Sequence, residues 1–183
     1  MRRFFNTAGP CVAERHYTID PLSRLKSVID LVEDQKYFIL HAPRQTGKST
    51  TIIALMDLLN NEGKYIALYV NVETAQPFRN DVESANEVFM SAIDGSARFY
   101  LPEPYWPSQN CFQVPSKKEG FRTFVSRWCT ELPKPLVLFI DEADALIGDS
   151  LLSLLRQVRS GYTQRPKGFP HSIALIGLRD LRD

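Results

Sequence analysis

The sequence contains few cysteines, no excess of charge of either sign and no long apolar run. Its three cysteines, Cys11, Cys111 and Cys129, are odd in number and widely spaced, so they indicate neither a disulfide framework nor a zinc site. The 22 basic and 21 acidic residues leave a formal charge of +1, which gives no electrostatic case for nucleic acid binding. No apolar stretch is long enough to cross a membrane, and the N-terminus lacks the apolar core of a signal peptide. These absences favour a cytoplasmic protein without membrane contact.

The length and apolar content predict one globular domain over residues 1–183. A chain of 183 residues with 44% hydrophobic residues is sufficient for a single core. We expect an N-terminal segment and helix at 1–36 and an irregular surface insertion at 95–116, of which residues 95–107 carry three prolines and four aromatic residues without a usable period. Its aromatic residues either pack on the sheet, which we favour, or face a partner.

A loop that ends Gly47-Lys48-Ser49 connects an apolar run to a helical pattern. A bound phosphate requires several converging N–H donors, little side chain in the way and the positive end of a helix. Gly47 allows close approach of the backbone, Lys48 would reach the β- and γ-phosphates, and the Ser49 hydroxyl would ligate Mg²⁺. Ala42 replaces the first glycine of the G-x-x-x-x-G-K-[ST] pattern, and its small side chain still permits loop closure. The predicted nucleotide-binding residues are Ala42, Pro43, Arg44, Gln45, Thr46, Gly47, Lys48, Ser49 and Thr50.

A second motif follows an apolar strand much later in the chain. The run from Pro135 to Ile140 is followed by Asp141 and Glu142. Asp141 would hold Mg²⁺ through its water shell, since that ion prefers oxygen ligands and gives up water reluctantly. Glu142 would take a proton from, or orient, the water that attacks the γ-phosphate. The alternative, that these acids only begin the next helix, explains one acid but not the strand, the pair and the Gly-Lys-Ser loop together.

The remaining segments alternate between strand and helix patterns. Helices are predicted from Asp20-Pro21 to Val32, after the loop to Asn60, at 80–94, at about 117–131 and at 150–160; strands are predicted at 37–41, 64–72, 135–140 and 172–178. This order implies a parallel sheet with right-handed crossovers and ligands at the carboxyl ends of the strands. In the connection 162–169, Arg165 and Lys167 either approach a phosphate or are solvated, and we favour the second interpretation.

With both motifs in place, the chain resembles the prokaryotic AAA-type ATPases, within the additional-strand group of phosphate-loop NTPases. The similarity covers nearly the whole chain and is strongest at His-Ala-Pro-Arg-Gln-Thr-Gly-Lys, residues 41–48. It implies a three-layer α/β sandwich whose parallel sheet has the order 5-1-4-3-2, with ATP and Mg²⁺ as cofactors. It also implies a polar sensor residue after the fourth strand, for which Arg179 and Asp180 are both candidates, and an adenine site near residues 17–21.

The sequence departs from the resembling proteins at its end. It stops at Asp183, so the fifth strand and the helical lid would be missing and the chain would be a fragment with weak hydrolysis. The resemblance also implies an arginine finger from a neighbouring subunit, hence a homo-oligomer in the full-length protein.

Three functions remain open from the sequence. We favour Mg²⁺-dependent ATP hydrolysis that drives a conformational switch and acts on an unidentified macromolecular partner, with Lys48, Glu142, Arg179 and Asp180 as catalytic residues. A second is a nucleotide-gated interaction module with negligible hydrolysis. A third is a small-molecule kinase, which the Asp141-Glu142 pair disfavours. The sequence contains no Asn-Lys-x-Asp motif for guanine recognition.

Overall fold

A parallel sheet of four strands forms the centre of the molecule. The computed structural model describes residues 4–5, 14–17, 25–41, 43 and 46–177. The strands are β1 (Tyr37–His41), β2 (Ile66–Asn71), β3 (Leu136–Asp141) and β4 (Ser172–Gly177). Their spatial order is β1-β4-β3-β2, and every neighbouring pair is parallel. The last of these strands therefore lies between β1 and β3, as predicted, and the phosphate-loop strand lies next to it.

The described part of the chain contains five α-helices, one before β1 and four between the strands. They are α1 (Lys26–Glu33), α2 (Lys48–Glu62), α3 (Val82–Tyr100), α4 (Gly120–Glu131) and α5 (Asp149–Gly161). Helix α2 ends at Gly63, whose φ of 72° is the left-handed conformation that glycine adopts without steric cost. Helix α3 begins after Asp81, whose carboxylate accepts a hydrogen bond from the Ser84 N–H at 3.1 Å.

Each face of the sheet has its own apolar core, so the molecule has three layers. Alternate residues of the strands point to opposite faces. On one face they pack against α1 and α2, and on the other against α3, α4 and α5. Every residue of β3 and β4 is buried, which explains why both read as continuous apolar runs in the sequence. No helix in the described ranges is long and apolar enough to cross a membrane.

The predicted irregular insertion at 95–116 is wrong over its first six residues. Residues 95–100 are the last turns of α3, because Ile93 and Ala97 continue the buried stripe of that helix. Only 101–116 is irregular, with 3-10 turns at Glu103–Tyr105 and Gln109–Phe112. Of the aromatic residues in the predicted insertion, Tyr100, Tyr105 and Trp106 pack against the core, as favoured from the sequence, whereas Phe99 is 79% exposed.

Other boundaries also differ from the prediction. Helix α1 begins at Lys26, and the expected start at Asp20-Pro21 lies outside the described residues. Helix α4 begins at Gly120, because residues 117–119 form a 3-10 turn. Strand β2 is shorter than the predicted 64–72.

Candidate nucleotide-binding site

The loop between β1 and α2 reaches the first turn of α2 through a left-handed glycine. Gly47 has φ 84°, and no side chain caps the helix that follows it. A Cβ placed on Gly47 would meet no atom of the described residues within 4 Å, so the requirement for glycine is conformational. The amino end of α2 therefore offers backbone N–H groups and the positive end of the helix dipole to an anion.

The described part of the loop is held together by hydrogen bonds to one carbonyl. Thr46 Oγ1 and Lys48 Nζ donate to the carbonyl oxygen of Pro43 at 2.8 and 3.2 Å. The ammonium group is thereby kept beside the loop, and Thr50 follows in the first turn of α2. The predicted residues Ala42, Arg44 and Gln45 lie outside the described residues, as do 18–21 near the expected adenine site, where only Tyr17 is described.

Asp141 lies at the carboxyl end of β3 and is bonded to three donors. Its Oδ2 accepts hydrogen bonds from Ser49 Oγ and from the Tyr69 hydroxyl, both at 2.7 Å. Its Oδ1 accepts the Glu142 N–H at 2.9 Å. The residue is only 1% exposed, so these donors replace water as its partners. The fold therefore brings Ser49 and Asp141 together although they are far apart in the chain.

The side-chain oxygens of Ser49 and Asp141 are suitable ligands for Mg²⁺ in the presence of a nucleotide. A hydroxyl oxygen and a carboxylate oxygen lie side by side, and Mg²⁺ prefers oxygen ligands. Mg²⁺ in such sites is bound by one or two protein oxygens together with phosphate and water, rather than by a complete protein cage. The described part of the chain contains no group of three or more histidine, cysteine or acidic side chains that could hold a metal ion.

Glu142 follows Asp141 in a backbone conformation that is unusual for a residue with a side chain. Its φ is 57°, in the left-handed region. Burial raises the pKa of its carboxyl group, and the negative charges of Asp141, Asp144 and Glu73 raise it further, while Lys48 acts in the opposite direction. A raised pKa makes this carboxylate a stronger proton acceptor than an exposed glutamate.

The carboxyl end of β4 approaches the same acidic segment. A Cβ added to Gly177 would lie 2.5 Å from Oδ1 of Asp144, so only glycine allows this contact. The sensor candidates Arg179 and Asp180 follow shortly after Gly177 but lie outside the described residues.

The alternative role of Arg165 at a phosphate does not agree with its position. Its guanidinium lies over the rings of Tyr162 and Tyr37, at 3.4 and 5.1 Å from their centroids. Tyr37 begins β1, whereas the phosphate loop follows the other end of that strand. Arg165 therefore lies at the opposite end of the strands from the phosphate loop, where it stacks on aromatic rings.

Several residues of this site were not predicted from the sequence. Tyr69 and Asn71 lie on β2, Asp144 lies shortly after the end of β3, and Gly177 is the last residue of β4. Asn71 is the register partner of Asp141, and its Oδ1 accepts the Glu73 N–H at 2.8 Å. The position of Asn71 could have been noticed in the sequence, because it is a polar residue at the end of an apolar strand. The role of Tyr69 carried no such signal, because tyrosine is common in strands.

Comparisons with known proteins agree with this fold. A protein-family profile described as "AAA domain" matches residues 31–183. No curated protein matches the sequence. A chain in a structure of Drosophila ORC bound to poly(dA/dT) DNA and Cdc6 is similar in fold, with a TM-score of 0.55, 11% identity and coverage of 88% of this chain. The matched region is 25% of that other chain, so the present sequence spans about a quarter of its length.

Proposed function

The chain belongs to the AAA domain family, and from this membership we propose that it binds ATP with Mg²⁺ and hydrolyses it to drive a conformational switch. Nucleotide binding of the phosphate-loop NTPase type agrees with both the family and the fold. The observation that carries the proposal is the hydrogen bond between Ser49 Oγ and Asp141 Oδ2. It joins the two motifs from which the sequence predicts phosphate and Mg²⁺ binding.

The binding roles follow from the loop. Gly47 and the first N–H groups of α2 would receive the β- and γ-phosphates, with the Lys48 ammonium beside them. Ser49 and Asp141 would hold Mg²⁺, the first directly and the second through water. When bound, Mg²⁺ neutralises negative charge on the β- and γ-phosphates.

Glu142 is the proposed general base. It would accept a proton from a water molecule as the water oxygen bonds to the γ-phosphorus and the bond to the bridging oxygen breaks, releasing ADP and phosphate. Its raised pKa, caused first by burial and then by neighbouring carboxylates, suits this role. Arg179 or Asp180 would act as the sensor residue.

Nucleotide binding is tested by thermal unfolding with ATP, GTP and Mg²⁺. At a nucleotide concentration of 100 times Kd, we expect stabilisation of about 2.7 kcal/mol, or a rise in Tm of roughly 5–10 °C. Lys48→Ala should lose most of this shift. Lys64→Ala, which removes an exposed lysine paired with Glu33, is the matched control and should keep it. If no nucleotide stabilises the wild type, the proposal is wrong.

Hydrolysis is tested separately by phosphate release. We expect Glu142→Gln to bind ATP with a rate of phosphate release at least 100-fold lower than wild type. Glu62→Gln, which changes an exposed residue at the end of α2, should match wild type. Equal rates in wild type and Glu142→Gln would exclude Glu142 as the base, and binding without release would favour a nucleotide-gated interaction module.

The partner is proposed to be a macromolecule that the switch acts on. The ORC structure contains DNA and Cdc6, but the charge of +1 of this chain does not favour DNA as its partner. A homo-oligomer that supplies an arginine finger, and a cytoplasmic location, remain predictions from the sequence.

A further inference from the structure

Tyr69 is fixed by packing on the face of the sheet that Asp141 shares. Its register partner on β3 is Phe139, two residues before Asp141. Its ring belongs to the same buried cluster as Phe139 and Met56, and Met56 Sδ accepts its backbone N–H at 3.3 Å. The ring of Tyr100 meets it edge to face at 6.2 Å. With the ring held in this way, the hydroxyl reaches past Phe139 to the end of β3.

Two hydroxyl groups from different elements share one oxygen of Asp141. Ser49 comes from α2 and Tyr69 from β2, and both are 2.7 Å from Oδ2. Because Asp141 is almost completely buried, water cannot easily replace a donor that is lost. Removal of the Tyr69 hydroxyl would leave Oδ2 with Ser49 alone, which is itself a proposed Mg²⁺ ligand.

We propose that the Tyr69 hydroxyl is a positioning group for the magnesium site, and this inference rests on the proposed function. It holds the Asp141 carboxylate in the orientation in which its oxygen meets the Ser49 hydroxyl. Hydrogen bonds to the residues that bind a metal commonly determine metal affinity in this way. The simpler interpretation is that a buried tyrosine uses Asp141 only as an acceptor for its own hydroxyl.

The two interpretations differ in what Tyr69→Phe changes. If Tyr69 positions Asp141, Tyr69→Phe should weaken nucleotide binding only in the presence of Mg²⁺. If Asp141 serves only as the acceptor for a buried hydroxyl, Tyr69→Phe should change the stability of the protein alone. The affinity for the non-hydrolysable analogue AMP-PNP is measured by calorimetry with excess Mg²⁺ and again with EDTA. We expect Tyr69→Phe to lower the Mg²⁺-dependent gain in affinity about 10-fold and to leave the affinity in EDTA unchanged.

Tyr37→Phe is the matched control. The Tyr37 hydroxyl also donates one hydrogen bond of 2.7 Å, to the carbonyl of Pro170 at the far end of the sheet. We expect this variant to lower Tm by a similar amount and to keep the Mg²⁺-dependent gain. The inference is wrong, while the proposed function stands, if Tyr69→Phe keeps the Mg²⁺-dependent gain in affinity of the wild type. It is also wrong if Tyr37→Phe loses as much of that gain as Tyr69→Phe does. If the wild type does not bind AMP-PNP, both fail.

A double variant tests whether Tyr69 acts through Asp141. Asp141→Asn removes the buried negative charge that Tyr69→Phe leaves with one donor fewer. In the Asp141→Asn background, we expect Tyr69→Phe to change the Mg²⁺-dependent gain less than twofold. A further 10-fold loss there would show that Tyr69 acts independently of Asp141, and would overturn the inference.

Discussion

Gly177 and Gly95 differ in the space available for a side chain. A Cβ on Gly177 would be 2.5 Å from Oδ1 and 2.8 Å from Cγ of Asp144, a distance that requires the acidic segment to move. Gly95 lies exposed in the interior of α3, and a Cβ there would meet nothing within 4 Å. Of these two positions, only Gly177 therefore requires glycine because of the atoms around it.

Gly177→Ala is expected to destabilise the protein, and Gly95→Ala to stabilise it. Overpacking of this kind costs about 1–3 kcal/mol, whereas replacing a glycine in a helix interior by alanine contributes about 1 kcal/mol. Urea unfolding of both variants against wild type measures the two free energies. A Gly177→Ala variant as stable as wild type would mean that Asp144 moves away from β4 without cost.

The irregular segment 101–116 is attached to α4 by specific hydrogen bonds. Trp128 Nε1 donates to the Tyr105 carbonyl at 2.9 Å, and Ser108 Oγ donates to Glu131 Oε1 at 2.8 Å. The Arg127 guanidinium donates to the Asn110 carbonyl at 2.7 Å. The segment therefore belongs to the folded core in spite of its lack of regular structure.

Trp128→Phe is expected to lower the free energy of unfolding by about 2–4 kcal/mol. Trp128 is 0% exposed, so the smaller ring leaves a cavity, and the Tyr105 carbonyl loses its donor. Trp106→Phe is the control, because its indole donates to the Leu101 carbonyl at 2.8 Å from a half-buried position and should cost less. Urea unfolding followed by circular dichroism measures both. Equal costs would show that burial of the ring does not determine the difference.

The predictability of each element depended on whether its pattern was local. The strands and α2 could be predicted because their apolar residues recur at the spacing of the element itself. The end of α3 was missed because Gly95 resembles a stop signal, although Ala97 continues the buried face and Arg98 pairs with Asp94 at 2.9 Å. The role of Tyr69 could not be predicted, since it requires the register of β2 against β3.

The stability of the whole molecule is expected to depend on pH through His171. This buried side chain joins the start of β4 to α1, with Nε2 at 3.0 Å from the Val32 carbonyl. Burial lowers the pKa of His171, the charges of Lys64 and Arg165 lower it further, and the bond to Val32 opposes them. The folded state therefore binds a proton at this residue less readily than the unfolded chain does.

The free energy of unfolding is expected to fall as pH decreases below about 6.5, the ordinary pKa of histidine. In that range the unfolded chain becomes protonated at His171 while the folded state stays neutral, and the loss continues down to the lower pKa of the folded state. His171→Gln should flatten this part of the profile, measured by urea unfolding at a series of pH values. His41→Gln, which changes an exposed histidine, is the control. An unchanged slope in His171→Gln would exclude this residue as the cause.

The order of the strands has a consequence for synthesis of the protein on the ribosome. Among the strands that the structure describes, β1 pairs with β4 alone, and Tyr37 is the partner of Ile173. At about 5–20 residues per second, translation completes β4 roughly 7 to 27 seconds after β1. During this interval β1, with Ile39 on its surface, has no partner strand for its backbone hydrogen bonds, which exposes it to aggregation.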